Sequence, residues 1–285
     1  MAIERLGIVG SGIMGSGIAE VAAKAGITVV LRSRKQESAD AMVAALGKSL
    51  AKQVSRGKLD QADADAVAGR VSATADLDAL ADCDLVVESV VEDLDVKKQL
   101  FVELDRIVKD GGILATNTST LPVVEMAVET GRPERVCGIH FFNPAPAMSL
   151  VEVIRTLVSS DETVAEAVAF AEACGKSPVV VEDRAGFIVN ALLFPYLNNA
   201  VRMLENRTAT REDIDAAMMG GCNFPMGPLA LLDLVGLDTS LAILDALYTE
   251  FHDPNYSAVP LLRRMVAAGH LGRKSGRGFY DYAKK

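Results

Sequence analysis

An apolar run, Leu6 to Val9, leads directly into Gly10-Ser11-Gly12-Ile13-Met14-Gly15, and a stretch rich in small residues, with Ala19, Ala22, Ala23 and Ala25, follows from Met14 to Ala25. Strand, tight glycine turn and helix in that order leave few folds open, because the helix must pack back on its own strand as in the first unit of a parallel sheet. The spacing also has chemical meaning. Gly10 permits the turn, Gly12 lets backbone approach a pyrophosphate, and Gly15 lets helix close on strand. Ile13 and Met14 then open the helix whose positive N-terminus receives the phosphates. In this context the motif reads as a dinucleotide site, with an ordinary glycine-rich turn as the alternative.

The alternation continues. Short apolar runs predict strands at Thr28 to Arg32, Leu85 to Ser89, Ile113 to Thr116, Val136 to Ile139, Leu150 to Ile154 and Pro178 to Val181. The last two flank a helix that Ser160 or Asp161 caps and Gly175 ends. These elements predict a Rossmann-like, doubly wound α/β domain over residues 1–183. After Asp183-Arg184-Ala185-Gly186 the pattern changes to a long apolar helix, Phe187 to Glu205, and further helical segments broken by Gly220-Gly221, Pro225, Gly227-Pro228 and Gly236. Residues 184–285 are therefore expected to form an all-helical domain for substrate binding and dimerisation, its apolar faces exceeding what one small bundle buries.

Charge and cysteine usage narrow the partners. Against 29 Lys and Arg stand 38 Asp and Glu, and the net charge of -9 argues against nucleic acid or an anionic membrane as the main partner. No uncharged apolar run approaches the ~20 residues of a membrane span, and the N-terminal residues lack a basic stretch followed by an apolar one. Cys83, Cys137, Cys174 and Cys222 match neither a disulfide framework nor a metal knuckle. A cytoplasmic protein with reduced thiols and no bound metal is expected.

The second strand is expected to end in a carboxylate that holds ribose hydroxyls, yet Val29-Val30-Leu31 runs into Arg32-Ser33-Arg34-Lys35. A hydroxyl among cations suits a 2′-phosphate, so NADP(H) is expected over NAD(H); a solvated basic turn with NAD(H) preferred is the alternative. Further on, Lys48, Lys52 and Arg56 recur at i, i+4 and i+8 beside Ser49, which places three cations on one helix face.

Several motifs then carry a resemblance. At Asn117-Thr118-Ser119-Thr120, His140-Phe141-Phe142-Asn143-Pro144, Val151-Glu152-Val153-Ile154 and Gly186-Phe187-Ile188-Val189-Asn190 the sequence resembles the short-chain L-3-hydroxyacyl-CoA dehydrogenases, especially the bacterial 3-hydroxybutyryl-CoA dehydrogenases. The resemblance spans essentially the whole chain, through Pro195-Tyr196-Leu197, Pro225-Met226-Gly227-Pro228, Asp233-Leu234-Val235-Gly236-Leu237-Asp238 and Lys274-Ser275-Gly276-Arg277-Gly278-Phe279-Tyr280. It implies an oxidoreductase that interconverts (S)-3-hydroxyacyl-CoA and 3-oxoacyl-CoA, with the four-carbon pair as substrate. An NAD-linked enzyme of broader chain length and a non-catalytic crystallin-like protein are the alternatives. Dehydrogenases of 3-hydroxyisobutyrate and 6-phosphogluconate share the domain plan, but they rely on a catalytic lysine where this chain offers His140 and Glu152.

The resemblance also assigns residues. His140 matches the general acid or base and Glu152 its carboxylate partner; removing a hydroxyl proton as hydride leaves calls for a group that titrates near neutrality. Ser119 and Asn190 match polar substrate contacts, suited to an oxygen on which charge develops. Glu92, Lys97, Asn117, Asn143 and Lys274 fall with the cofactor contacts, and Ser49, Lys52 and Arg56 with the coenzyme A moiety. Structural roles compete: Ser119 as a cap on the helix after Pro122, Asn190 as a partner for buried backbone, the charged residues as solvated surface.

Overall fold

The computed structural model describes residues 3–283, which divide into two compact units between Asp183 and Arg184. The first runs β1 (Arg5–Val9), α1 (Ile13–Lys24), β2 (Thr28–Arg32), α2 (Gln36–Ser55), α3 (Gln61–Gly69), β3 (Val71–Thr74), β4 (Leu85–Glu88), α4 (Leu94–Ile107), β5 (Ile113–Thr116), α5 (Val123–Ala127), β6 (Val136–Phe141), β7 (Leu150–Arg155), α6 (Asp161–Ala173) and β8 (Ser177–Glu182). These strands form one sheet in the order β3-β2-β1-β4-β5-β6-β7-β8. The order reverses between β1 and β4, which opens a crevice at their carboxyl ends, the usual ligand position in such sheets.

Strands β1 to β6 run parallel, and β7 is antiparallel to β6. The connection from Phe141 to Leu150 holds no helix and is too short for the crossover that a parallel pair requires. β6 also extends two residues beyond the expected Ile139, so His140 lies inside a strand. β3 is absent from the sequence reading; it is short, mostly half-exposed and sits at the sheet edge, so Val71-Ser72-Ala73-Thr74 carries no continuous apolar run. Burial elsewhere follows the pattern: Leu6, Ile8, Leu31, Leu85, Val87 and Ile113 are fully enclosed between helices. Of the two candidate caps on α6, Ser160 does the work, accepting from the Thr163 amide at 3.1 Å.

The second unit contains α7 (Val189–Glu205), α8 (Arg211–Cys222), α9 (Pro228–Val235), α10 (Leu237–Phe251) and α11 (Pro260–Ala267). α7 begins two residues later than the apolar pattern predicts. Gly186 at φ +76° and Phe187 at φ +48° both occupy the left-handed region, which turns the chain before the helix starts. Phe194, Leu197, Val201, Leu232, Leu244 and Leu262 build the core of this unit. Two buried aspartates tie it together. Asp215 accepts from the Leu229 and Ala230 amides at 2.8 and 3.0 Å and from the Tyr280 hydroxyl at 2.9 Å. Asp233 accepts from the Phe279 and Tyr280 amides, both at 2.9 Å, and a Cβ on Gly278 would fall 1.9 Å from its Oδ1. The closing glycine-rich motif is thus shaped by a carboxylate beneath it. Among the described residues no helix is long and apolar enough to cross a membrane, and no cluster of metal-ligating side chains occurs.

Candidate active site

The glycine turn leaves β1 at the reversal of strand order. Gly10 stands at φ +133°, and a Cβ there would lie 2.3 Å from the Ser89 carbonyl oxygen; one on Gly15 would lie 2.6 Å from the Gly10 carbonyl oxygen. The protein's own packing therefore demands both glycines. At Gly12 a Cβ would meet nothing within 4 Å, so no packing contact among the described residues demands a glycine there. α1 starts without a side-chain cap and without an acidic residue in its first turn, which leaves its N–H groups and positive end for an anion. A cavity of about 730 Å³ opens here, lined by Gly12, Arg32, Ser33 and Arg34 among others. Ser33 is buried, and the Arg32 Nε is buried with no hydrogen-bond partner. An anionic dinucleotide fits these groups.

Across the sheet, the antiparallel register sets His140 directly opposite Glu152. Nδ1 of His140 lies 2.8 Å from Oε2 of Glu152, and Nε2 lies 3.0 Å from Oγ of Ser119. His140 is 4% exposed and Glu152 is fully buried. A carboxylate that accepts from Nδ1–H leaves Nε2 of the neutral ring as the acceptor, so one imidazole edge is held for proton exchange with a hydroxyl. Ser119 does not cap the helix after Pro122. Asp183 fills that role, accepting from the Val123 and Val124 amides at 3.1 and 2.7 Å. No thiol in this unit competes as a nucleophile: burial pushes Cys83 up to about 11 and Cys137 and Cys174 up to about 12.

A glycine turn after β1 and the hydrogen-bonded chain Ser119–His140–Glu152 agree with what comparison with known proteins finds. The family profile of the 3-hydroxyacyl-CoA dehydrogenase NAD binding domain matches residues 5–184, and that of the 3-hydroxyacyl-CoA dehydrogenase C-terminal domain matches residues 186–282. The chain belongs to the 3-hydroxyacyl-CoA dehydrogenase family. It is 50% identical over 287 residues to 3-hydroxybutyryl-CoA dehydrogenase of Mycobacterium tuberculosis, covering 99% of each chain, and 47% identical to that of Clostridioides difficile, covering 98% and 100%. Its fold superimposes on the crystal structure of (S)-3-hydroxybutyryl-CoA dehydrogenase from Ralstonia eutropha with a TM-score of 0.96 at 43% identity, over 99% of this chain and 100% of that one. The protein is thus an oxidoreductase of the CH–OH group with a nicotinamide cofactor.

In this dehydrogenase a second network reaches the Ser119 backbone. Lys97 is 1% exposed, and its ammonium donates to both oxygens of the fully buried Glu88, at 2.7 and 2.9 Å, while lying 3.3 Å from Glu92. Thr116 Oγ1 also donates to Glu88. Glu92 in turn accepts from the Ser119 amide at 3.0 Å and from the Thr118 hydroxyl. The charge of Lys97 is therefore spent inside the protein, and Lys97 reaches a ligand only through Glu92. Asn117 accepts from the Phe141 amide at 2.8 Å and braces β6 beside His140. Asn143 is exposed on the following loop, which Lys176 anchors by donating to the Ala145 and Met148 carbonyls at 2.6 and 2.8 Å.

On the basic helix, Lys48 and Lys52 are exposed on α2, and Arg56, also exposed, is the residue at its C-terminal cap. Ser49 donates to the buried Glu20 at 2.8 Å. Asn190 and Lys274 belong to the helical unit: Asn190 is buried in the first turn of α7, and Lys274 donates to Asp238 at 2.6 Å. Sequence reading missed Glu88, Thr116 and Asp183. A charged residue ending an all-apolar strand, Leu85-Val86-Val87-Glu88, was the available signal for the first.

Proposed function

We propose that this dehydrogenase interconverts (S)-3-hydroxybutyryl-CoA and acetoacetyl-CoA in the cytoplasm, with NADP(H) preferred over NAD(H), as a homodimer formed through its helical unit. The contact of His140 with both Ser119 and Glu152 carries the reading. When bound, the nicotinamide accepts or returns the hydride. In oxidation, Nε2 of His140 takes the substrate hydroxyl proton while Glu152 stabilises the imidazolium, and in reduction the same proton returns to the carbonyl oxygen. Ser119 and the Asn190 amide donate to that oxygen as it gains charge.

The turn Gly10, Gly12, Ile13, Met14 and Gly15 holds the pyrophosphate, with Arg32, Ser33 and Arg34 toward the adenosine ribose. Glu92, Asn117, Asn143 and Lys274 hold the other half, and Lys97 acts as a positioning residue through Glu92. Ser49, Lys52 and Arg56 receive the coenzyme A moiety, Ser49 beside the Glu20 carboxylate that fixes its hydroxyl. Four-carbon relatives at up to 50% identity support the acyl length. The carboxylate-free turn after β2 supports NADP(H), and the exposed Leu192, Met203, Phe224 and Leu234 support a second copy on the helical unit.

The test is a matrix of NADH and NADPH against 3-oxoacyl-CoA thioesters of increasing length, run beside a sedimentation measurement. The expected kcat/KM is highest for acetoacetyl-CoA and about 10²-fold higher with NADPH, from two charged contacts at roughly 1.5 kcal/mol each. Values that rise with chain length, or that favour NADH, overturn the corresponding part of the proposal, and a monomer overturns the dimer.

A further inference from the structure

The cavity beside the glycine turn has a second wall, and we infer that Glu103 on that wall is a specificity-determining residue that accepts a hydrogen bond from the 6-amino group of the cofactor's adenine. The inference rests on the dinucleotide reading above. Val96, Gln99, Leu100 and Glu103 recur at i, i+3, i+4 and i+7, one face of α4, and all line the same cavity as Arg32 and Arg34. Glu103 is the one carboxylate among the described lining residues, and no hydrogen bond or ion pair within the described residues engages it.

A carboxylate is an odd neighbour for a phosphate-binding turn, since it accepts only and repels anions. It becomes useful where the ligand presents donors, and with the ribose hydroxyls met at the end of β2 the donors that remain are N–H groups. Of the parts of a dinucleotide, adenine and the nicotinamide carboxamide present them, and the end of β2 with Arg32 and Ser33 assigns this cavity to the adenosine half. The apolar surroundings suit a flat base: Val96 is 43% exposed and Val91, which lines the same cavity, 62%. Gln99, one helical turn before Glu103, supplies an amide donor for a ring nitrogen. Together they form an acceptor and donor pair that matches adenine. Hypoxanthine, with a carbonyl at position 6 and N–H at position 1, inverts that pattern.

Affinity for NADH, NADPH and their reduced hypoxanthine analogues, measured by cofactor fluorescence without substrate, tests the assignment in wild type and Glu103→Ala. Because Glu103 is exposed, its removal leaves the fold intact, which circular dichroism checks. The wild type is expected to bind each adenine form about tenfold more tightly than its hypoxanthine analogue, a hydrogen bond to a charged group being involved, and Glu103→Ala to bind them within about twofold. Equal affinities in the wild type, or an unchanged ratio in Glu103→Ala, overturn the role of Glu103 and leave the dinucleotide reading standing. Failure of all four compounds to bind overturns both.

Discussion

Glu152 stands directly opposite His140 across the antiparallel pair β6 and β7, its Oε2 2.8 Å from the ring Nδ1. Neighbouring strands hold opposed residues at a fixed separation, so the dyad is set by the backbone ladder and not by flexible loops. A ring held this way has its orientation fixed before any ligand arrives.

His140→Gln is expected to lower kcat by about 10² to 10⁴-fold, the usual contribution of a positioned acid or base. Glu152→Gln keeps the packing but loses the charge that stabilises the ring as it takes the proton. Its kcat should fall well below the wild-type value while circular dichroism stays unchanged. A wild-type kcat in Glu152→Gln removes the dyad.

Lys97→Met leaves Glu88 as an uncompensated buried charge. Removing one partner of such a pair costs roughly 3 to 5 kcal/mol, and urea unfolding should show a loss of that order. The double variant Glu88→Gln with Lys97→Met should recover most of it. Because Lys97 also steadies Glu92, the single variant should raise the cofactor Kd as well.

Glu20 links stability to pH. Burial alone would raise its carboxyl, but hydrogen bonds from Lys24 at 2.7 Å and from Gln53 and Ser49, both at 2.8 Å, outweigh that and hold it below its ordinary value of 4.5. A carboxylate depressed in the folded state contributes stability that is fully present above its unfolded pKa and is lost as pH falls through the folded one. Glu20→Gln should therefore be less stable than wild type at pH 7, with the gap closing as the pH drops below about 4. Denaturant titrations at pH 7 and pH 3 measure it, and a pH-independent gap would mean that the carboxylate charge contributes nothing.

Cofactor choice is addressed by combining Ser33→Asp with Arg34→Ala. A carboxylate at position 33 accepts from ribose hydroxyls and repels a 2′-phosphate, so the ratio of kcat/KM for NADPH over NADH should fall below one. An unchanged ratio would assign the turn to solvent.

Much of this protein is local in origin. The strand, turn and helix of residues 6–25 follow from apolar periodicity and from the glycine spacing of the turn, and a long helix of α7 type follows from its own pattern. His140, Glu152 and Ser119 were recognisable by their motifs, and nothing in the spacing of twelve residues between the first two said whether they face one another. That depends on the short Phe141 to Leu150 connection reversing β7 and on a register in which a one-residue slip would turn every side chain to the other face. The same holds for Lys97, which its motif places among the cofactor contacts and which β4 and β5 instead seat on Glu88 beside Thr116. Sequence determined the apolar strands and long helices, though not the edge strand β3, and which residue types are available for the chemistry. Only tertiary structure decided which buried charges meet, because those contacts join strands and helices distant along the chain, and an unpaired charge is too costly to bury alone.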